Sequence, residues 1–141
     1  MKYLKLLTMK IKIDYFSKDI AEAIGAGIYR ISVIKENGNA APLYIGESVF
    51  VLVRCAAHLF ELKKDPAYFG FTKESIDNEK ITLKFEMLHQ IDDRAKRKHR
   101  EKEIINETLK TQDLICQNGI SDRMKDIDDK IESLALFLAG E

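Results

Sequence analysis

The stretch GIYRISVIKENGNAAPLYIGES, residues 27–48, constrains the fold more than any other part of this chain. Ile28 to Ile34 and Leu43 to Ile45 are runs rich in β-branched and aromatic residues, and the KENGNAAP between them carries the pair Asn37-Gly38. Asn-Gly accepts the positive φ angles of a tight hairpin turn, so the two runs are expected to pair as antiparallel strands. That pairing sets two matched triplets, Gly27-Ile28-Tyr29 and Tyr44-Ile45-Gly46, on neighbouring strands. A single hairpin tyrosine is ordinarily a packing residue. Two in mirrored settings raise the question of a shared site.

The rest of the chain bounds what such a hairpin can belong to. At 141 residues with 45% hydrophobic content, the chain is one domain with enough apolar surface for a core. Lys plus Arg equals Asp plus Glu, at 23 each, so no bulk field draws in a polyanion or a membrane, and any nucleic-acid binding must rest on a local patch. Cys55 and Cys116 stand far apart in no metal-type spacing, which fits buried, reduced thiols and a cytoplasmic location. The start MKYLKLLTMKIKI breaks its apolar run with lysines, unlike a signal peptide, and no stretch is long enough to span a membrane.

Periodicity assigns the remaining elements. Met9, Ile11, Ile13 and Tyr15 alternate as a first strand, and Ser17 is expected to cap a short helix through Ala23. Residues 48–64 are densely apolar and end before Pro66, which predicts a largely buried helix. Ile81, Leu83, Phe85, Met87 and Ile91 share one face of a further strand. Asp92 or Asp93 then opens a long charged helix reaching about Gln112. Ser121 begins a last amphipathic helix whose seam is Met124, Ile127, Ile131, Leu134 and Leu138. The expected fold is an α/β domain with a small, mainly antiparallel sheet flanked by helices. Its parts are an extension over 1–26, a core over 27–118 and a C-terminal helix over 119–141.

The two triplets, in order on one hairpin, resemble the GIY-YIG nuclease family, in which both tyrosines face one active site. The likeness extends downstream, over residues 27–118. The family carries an arginine on the helix after the second triplet, and its restriction-endonuclease branch a histidine one turn on. Here Arg54 and His58 stand at i and i+4, on one helix face. The family's metal ligand is a glutamate on the helix after the third strand, and Glu101, Glu103 and Glu107 are the candidates in RKHREKEIINETLKTQ. At about 100° per residue, Glu101 shares the sheet-facing stripe of Ile104, Ile105, Thr108 and Leu109, whereas Glu103 and Glu107 point away. A carboxylate among aliphatics needs a cation or hydrogen bonds, so Glu101 is the expected ligand of a Mg²⁺ or Mn²⁺. Glu47 stands where repair-type members carry a lysine, and only Gln117 or Asn118 can replace the family's asparagine.

The resemblance implies metal-dependent hydrolysis of DNA phosphodiester bonds, most closely of the restriction type. The alternatives are a catalytically silent nucleic-acid-binding or structural subunit and a repair incision module. Tyr29 is expected near the attacking water, as general base or relay, and nearby cations must lower its ordinary pKa of about 10 for the first role. Arg54 presents a permanently charged fork to phosphate, Glu101 holds the metal, and Tyr44 and His58 hydrogen-bond the phosphate or the nucleophile. The run RAKRKHREK offers Arg94, Lys96, Arg97, Lys98 and Arg100 to the DNA backbone. No membrane partner is expected. The seam of the last helix packs either on its own domain or on a second copy, and a two-fold dimer suits a cut through both strands.

Overall fold

A computed structural model describes residues 9–120 and 123–140. Four strands, β1 (Lys12–Tyr15), β2 (Gly27–Ile34), β3 (Ala40–Ser48) and β4 (Thr82–Gln90), form one sheet in the order β1-β4-β2-β3. Four helices accompany it: α1 (Ile20–Ala23), α2 (Val51–Lys64), α3 (Arg94–Leu109) and α4 (Ile127–Ala139). The hairpin forms as its sequence requires. Gly38 sits in the turn at φ 89°, where a side chain would be strained. β2 pairs antiparallel with both β3 and β4, but β1 runs parallel to β4, so the sheet is mixed rather than mainly antiparallel. Alternation marks β1 as a strand without naming its partner, and only a tight turn fixes direction locally. No such turn joins β1 to β4.

β2 is buried on both faces because helices cover both. On one face Tyr29, Ile31, Leu43 and Tyr44 join Val51, Cys55 and Leu62 of α2 in the main core. On the other, Ile28 and Ile45 pack with Ile105 of α3 and Leu114. A register shift opposite Ile28 and Tyr29 sets His89 and then Met87 across from them, skipping Leu88. The alternation in β4 therefore breaks there, and Ile91, expected on the Phe85 face, joins Leu88 in the cluster around Ile28.

Helix boundaries correct several expectations. The short helix starts at Ile20 after Asp19, not at Ser17, whose backbone N–H instead donates to Asp14. The helix expected over 48–64 begins at Val51 and is not largely buried: Val51, Cys55, His58 and Leu62 face inward, while Val53 and Phe60, with Val49 and Phe50 just before the helix, are exposed. Asp93, not Asp92, caps α3 by accepting from the Lys96 N–H, and the helix ends at Leu109. α4 begins at Ile127 under an Asp126 cap, and the expected start at Ser121 lies outside the described residues. Leu134 is fully buried, with Met124, Phe137 and Leu138 against the same core, so the seam is engaged by its own domain and Ile127 is left half exposed. Lys35 anchors the far end by donating to the Phe137 and Gly140 carbonyls at 2.9 and 2.6 Å. Both cysteines are free and buried. No helix among the described residues is long and apolar enough to cross a membrane.

Candidate active site

The hairpin register explains the matched triplets. Tyr29 faces Gly46 and Tyr44 faces Ile31, which puts both tyrosines on the α2 side of the sheet with ring centroids 6.4 Å apart. A Cβ on Gly46 would run into the hydroxyl end of Tyr29. The glycine is thus the space in which the tyrosine ring lies. Gly27 is fixed the same way, since a side chain there would strike the His89 carbonyl and Met87.

α2 brings two further groups. His58 points inward and is 2% exposed, whereas Arg54 leaves the helix on its flank and is exposed. The His58 ring is held at both nitrogens, with Nε2 2.8 Å from the Tyr29 hydroxyl and Nδ1 2.7 Å from the Tyr68 hydroxyl. Burial, helped by the Arg54 charge, pushes the imidazole pKa down to about 3, so the ring is neutral near pH 7. Burial also raises Tyr29 well above its ordinary 10, although Arg54 pulls the other way through its charge and a hydrogen bond. Tyr29 therefore keeps its proton near pH 7. Tyr68 is likewise pushed up to about 12 by burial.

These groups meet at one cavity of about 210 Å³ at the outer edge strand β3, lined by Tyr29, Tyr44, Gly46, Glu47, Arg54 and Glu101. α2 supplies Arg54 from one face of the sheet and α3 supplies Glu101 from the other. Glu101 is 3% exposed, on the inward stripe with Arg97 and Ile105, as its helical position predicts. Glu103 and Glu107 are exposed and lie within 4 Å of Arg100. The second carboxylate at the cavity, Glu47, is held by Arg97 at 2.5 Å and Lys98 at 3.3 Å. Burial alone would raise its pKa, but the hydrogen bonds from Arg97 and Lys98 outweigh this and lower it, so Glu47 is ionised. The donors are all hard oxygens. Among the described residues no three His, Cys, Asp or Glu side chains group as a metal cage. One buried and one partly buried carboxylate at a single cavity are a sparse oxygen set of the kind Mg²⁺ or Mn²⁺ accepts, with water completing the shell.

The basic run is only partly available for DNA. Arg97 is 5% exposed and donates to Glu47, Ile91 and Asp92, so it is a structural cation rather than a phosphate contact. Lys98 bridges to Glu47 and Arg100 to Glu103 and Glu107, while Arg94 and Lys96 stand exposed on the first turns of α3. Of the two candidate amides, Gln117 clamps the edge of β3, its Oε1 accepting from Ile45 N–H at 2.9 Å and its Nε2 donating to Ile45 C=O at 2.8 Å. Asn118 is exposed, and neither lines the cavity.

Sequence reasoning missed Tyr68. It lies ten residues past His58 and across Pro66, and only the fold returns it to the imidazole. The one local clue is DPAYFG, where Asp65 accepts from Ala67 N–H and Gly70, at φ 87°, closes a compact turn. A larger cavity of about 500 Å³ lies between that loop and α4, but Lys35 on its wall is committed to the end of α4 and no comparable group of reactive side chains converges there. Compared with known proteins, the chain matches no family model, and no match was found to a curated protein or to a solved structure.

Proposed function

We propose that the chain is a metal-dependent endonuclease that hydrolyses DNA phosphodiester bonds, of GIY-YIG type and closest to the restriction-like members. The observation that carries this reading is the convergence on one cavity of Tyr29, Tyr44, Arg54 and Glu101, from two strands and two helices, with His58 bonded to Tyr29 behind them. Packing alone does not ask for a guanidinium, a buried carboxylate and two phenols at one edge of a sheet.

Each group has a task. Neutral His58 accepts the Tyr29 O–H at Nε2 and donates its Nδ1–H to the Tyr68 oxygen, so one tautomer serves both contacts. Tyr29 oxygen, its proton turned to His58, then offers a lone pair to the cavity and orients an attacking water. Arg54 clamps the phosphate with its planar fork and neutralises charge as the phosphorus becomes more crowded. Tyr44 donates to a second phosphate oxygen. Glu101 would hold the divalent ion, whose Lewis acidity stabilises the departing 3′ oxygen. Arg94 and Lys96 meet the flanking backbone.

The full chain incubated with long DNA of mixed sequence and Mg²⁺ or Mn²⁺ should yield discrete cuts. EDTA and Glu101→Gln should stop them, and Ca²⁺ should support binding without turnover. DNA bound but never cut, in any of these metals, would replace the enzyme by a non-catalytic binding protein. Cutting confined to branched or damaged substrates would move it to the repair branch.

A further inference from the structure

The outer face of α2 is unusual for a helix at a protein surface. Phe50, Val53 and Phe60 are 57%, 67% and 61% exposed, with Ala56 and Ala57 between them. Ile24, 61% exposed, lies beside the helix start, where the Val51 N–H donates to the Gly25 carbonyl. Contiguous apolar surface of this kind marks an interaction site, whereas single exposed apolar residues do not. Phe50, Val53, Ala56, Ala57 and Phe60 themselves offer no donors to phosphate, and the one ammonium against them, Lys64 at 5.4 Å from the Phe60 ring centre, stands at the end of the stripe.

The spacing of the stripe indicates its occupant. Val53, Ala57 and Phe60 follow steps of four and three along one face of the helix, and Phe50, its N-cap, precedes Val53 by three. The order is the same from either end, centred on Cys55. We propose that two copies of the chain pair here, α2 against antiparallel α2 across a two-fold axis passing Cys55. Phe50 of one copy then packs on Phe60 of the other, and Val53 on Ala57. The alanines let the backbones approach to the roughly 8–10 Å of well-packed helices. The arrangement is isologous, so it closes at two copies. With an aromatic side chain worth roughly 150–250 Å², the exposed parts of Phe50, Phe60, Val49, Val53 and Ile24 come to on the order of 500 Å² per copy, or about 1,000 Å² for the pair. That reaches the lower bound for a specific interface before any rim contact is counted. The balance of 23 cationic and 23 anionic side chains adds no net repulsion between copies. α4, the other apolar helix, is engaged by its own domain.

The pairing stands on α2 alone; its consequence rests on the nuclease reading. At about 100° per residue Arg54 lies about 60° from Ala57, so it stands at the rim of the paired face, beside the cavity it lines. Two such cavities related by a two-fold axis suit a break through both DNA strands at a symmetric site.

Light scattering after size exclusion, without DNA, separates the two ideas. The full chain should have twice its 16.2 kDa, and Val53→Glu and Phe60→Glu should each be monomeric, with dissociation constants raised at least 100-fold and circular dichroism unchanged. Mixing a Val53→Glu chain with an Ala57→Lys chain should restore a dimer, since those positions face each other across the axis. A wild-type monomer at several hundred micromolar overturns the proposal, as does a dimer indifferent to both glutamates. A monomer that pairs only after removal of residues 1–8 also overturns it, by showing that the chain's own start covers the stripe. A dimer that never cuts DNA leaves the pairing intact and refutes the enzyme.

Discussion

Adding one methyl group at Gly46 tests whether the triplets are built around the tyrosine. The new Cβ would occupy the space of the Tyr29 ring. That ring cannot swing clear, because it is 1% exposed, bonded to His58 at 2.8 Å and flanked by Tyr44. Overpacking of this kind costs about 1–3 kcal/mol. Replacing a strand glycine returns about 0.5–1 kcal/mol through the unfolded chain. The net loss for Gly46→Ala is then about 1–2 kcal/mol, a fall in thermal midpoint of roughly 3–8 °C for a chain of this size. Tyr29→Ala alone should cost about 3–5 kcal/mol. In that background Gly46→Ala should cost nothing or stabilise slightly, giving a coupling of about 1–3 kcal/mol in urea unfolding of the four proteins. DNA cleavage by Gly46→Ala should fall as well, because the displaced ring takes its hydroxyl from His58. An equal cost of Gly46→Ala in both backgrounds would refute the reasoning.

Tyr29→Phe, Arg54→Ala and Glu101→Gln should each abolish cleavage while calorimetry shows a folded protein, with Arg54→Ala nearest wild type because that side chain is exposed. Tyr68→Phe should lower kcat with little change in KM, and nitrogen chemical shifts of His58 should show the loss of a fixed tautomer; an unchanged tautomer would remove Tyr68 from the site. Arg97→Met should cost about 2–3 kcal/mol near pH 7 by leaving Glu47 short of a partner, whereas Arg94→Ala and Lys96→Ala should leave stability alone and reduce the salt dependence of DNA binding. Because the Glu47 pKa is lowered from 4.5 in the fold, its contribution is complete above that value and lost as pH falls through the folded pKa. Wild type should therefore lose this increment in acid denaturation, and Arg97→Met, which keeps only Lys98 against Glu47, should have less of it to lose.

What the sequence determined by itself was local. The Asn37-Gly38 turn fixed the hairpin, but its register alone would set Tyr29 and Tyr44 on opposite faces, and the bulge between Ile31 and Ser32 is what brings them to one. The period of α3 told Glu101 from Glu103 and Glu107, because burial along a helix repeats with its turn. Tertiary structure decided whatever depends on partners distant in the chain. Alternation in β1 carried no direction, and the parallel pairing with β4 arose from where the chain returned. The run around Arg97 was expected to offer all its cations to DNA, since a charged side chain's partner is invisible in one dimension; Glu47, fifty residues earlier, draws Arg97 inside. Apolar density in α2 predicted burial, yet a helix lying on a sheet hides only one face, and the residues left outside make the stripe where a second copy is expected. The imidazole tautomer was likewise beyond reach of the sequence, because Tyr68 meets Nδ1 only after Pro66 and Gly70 have turned the chain back.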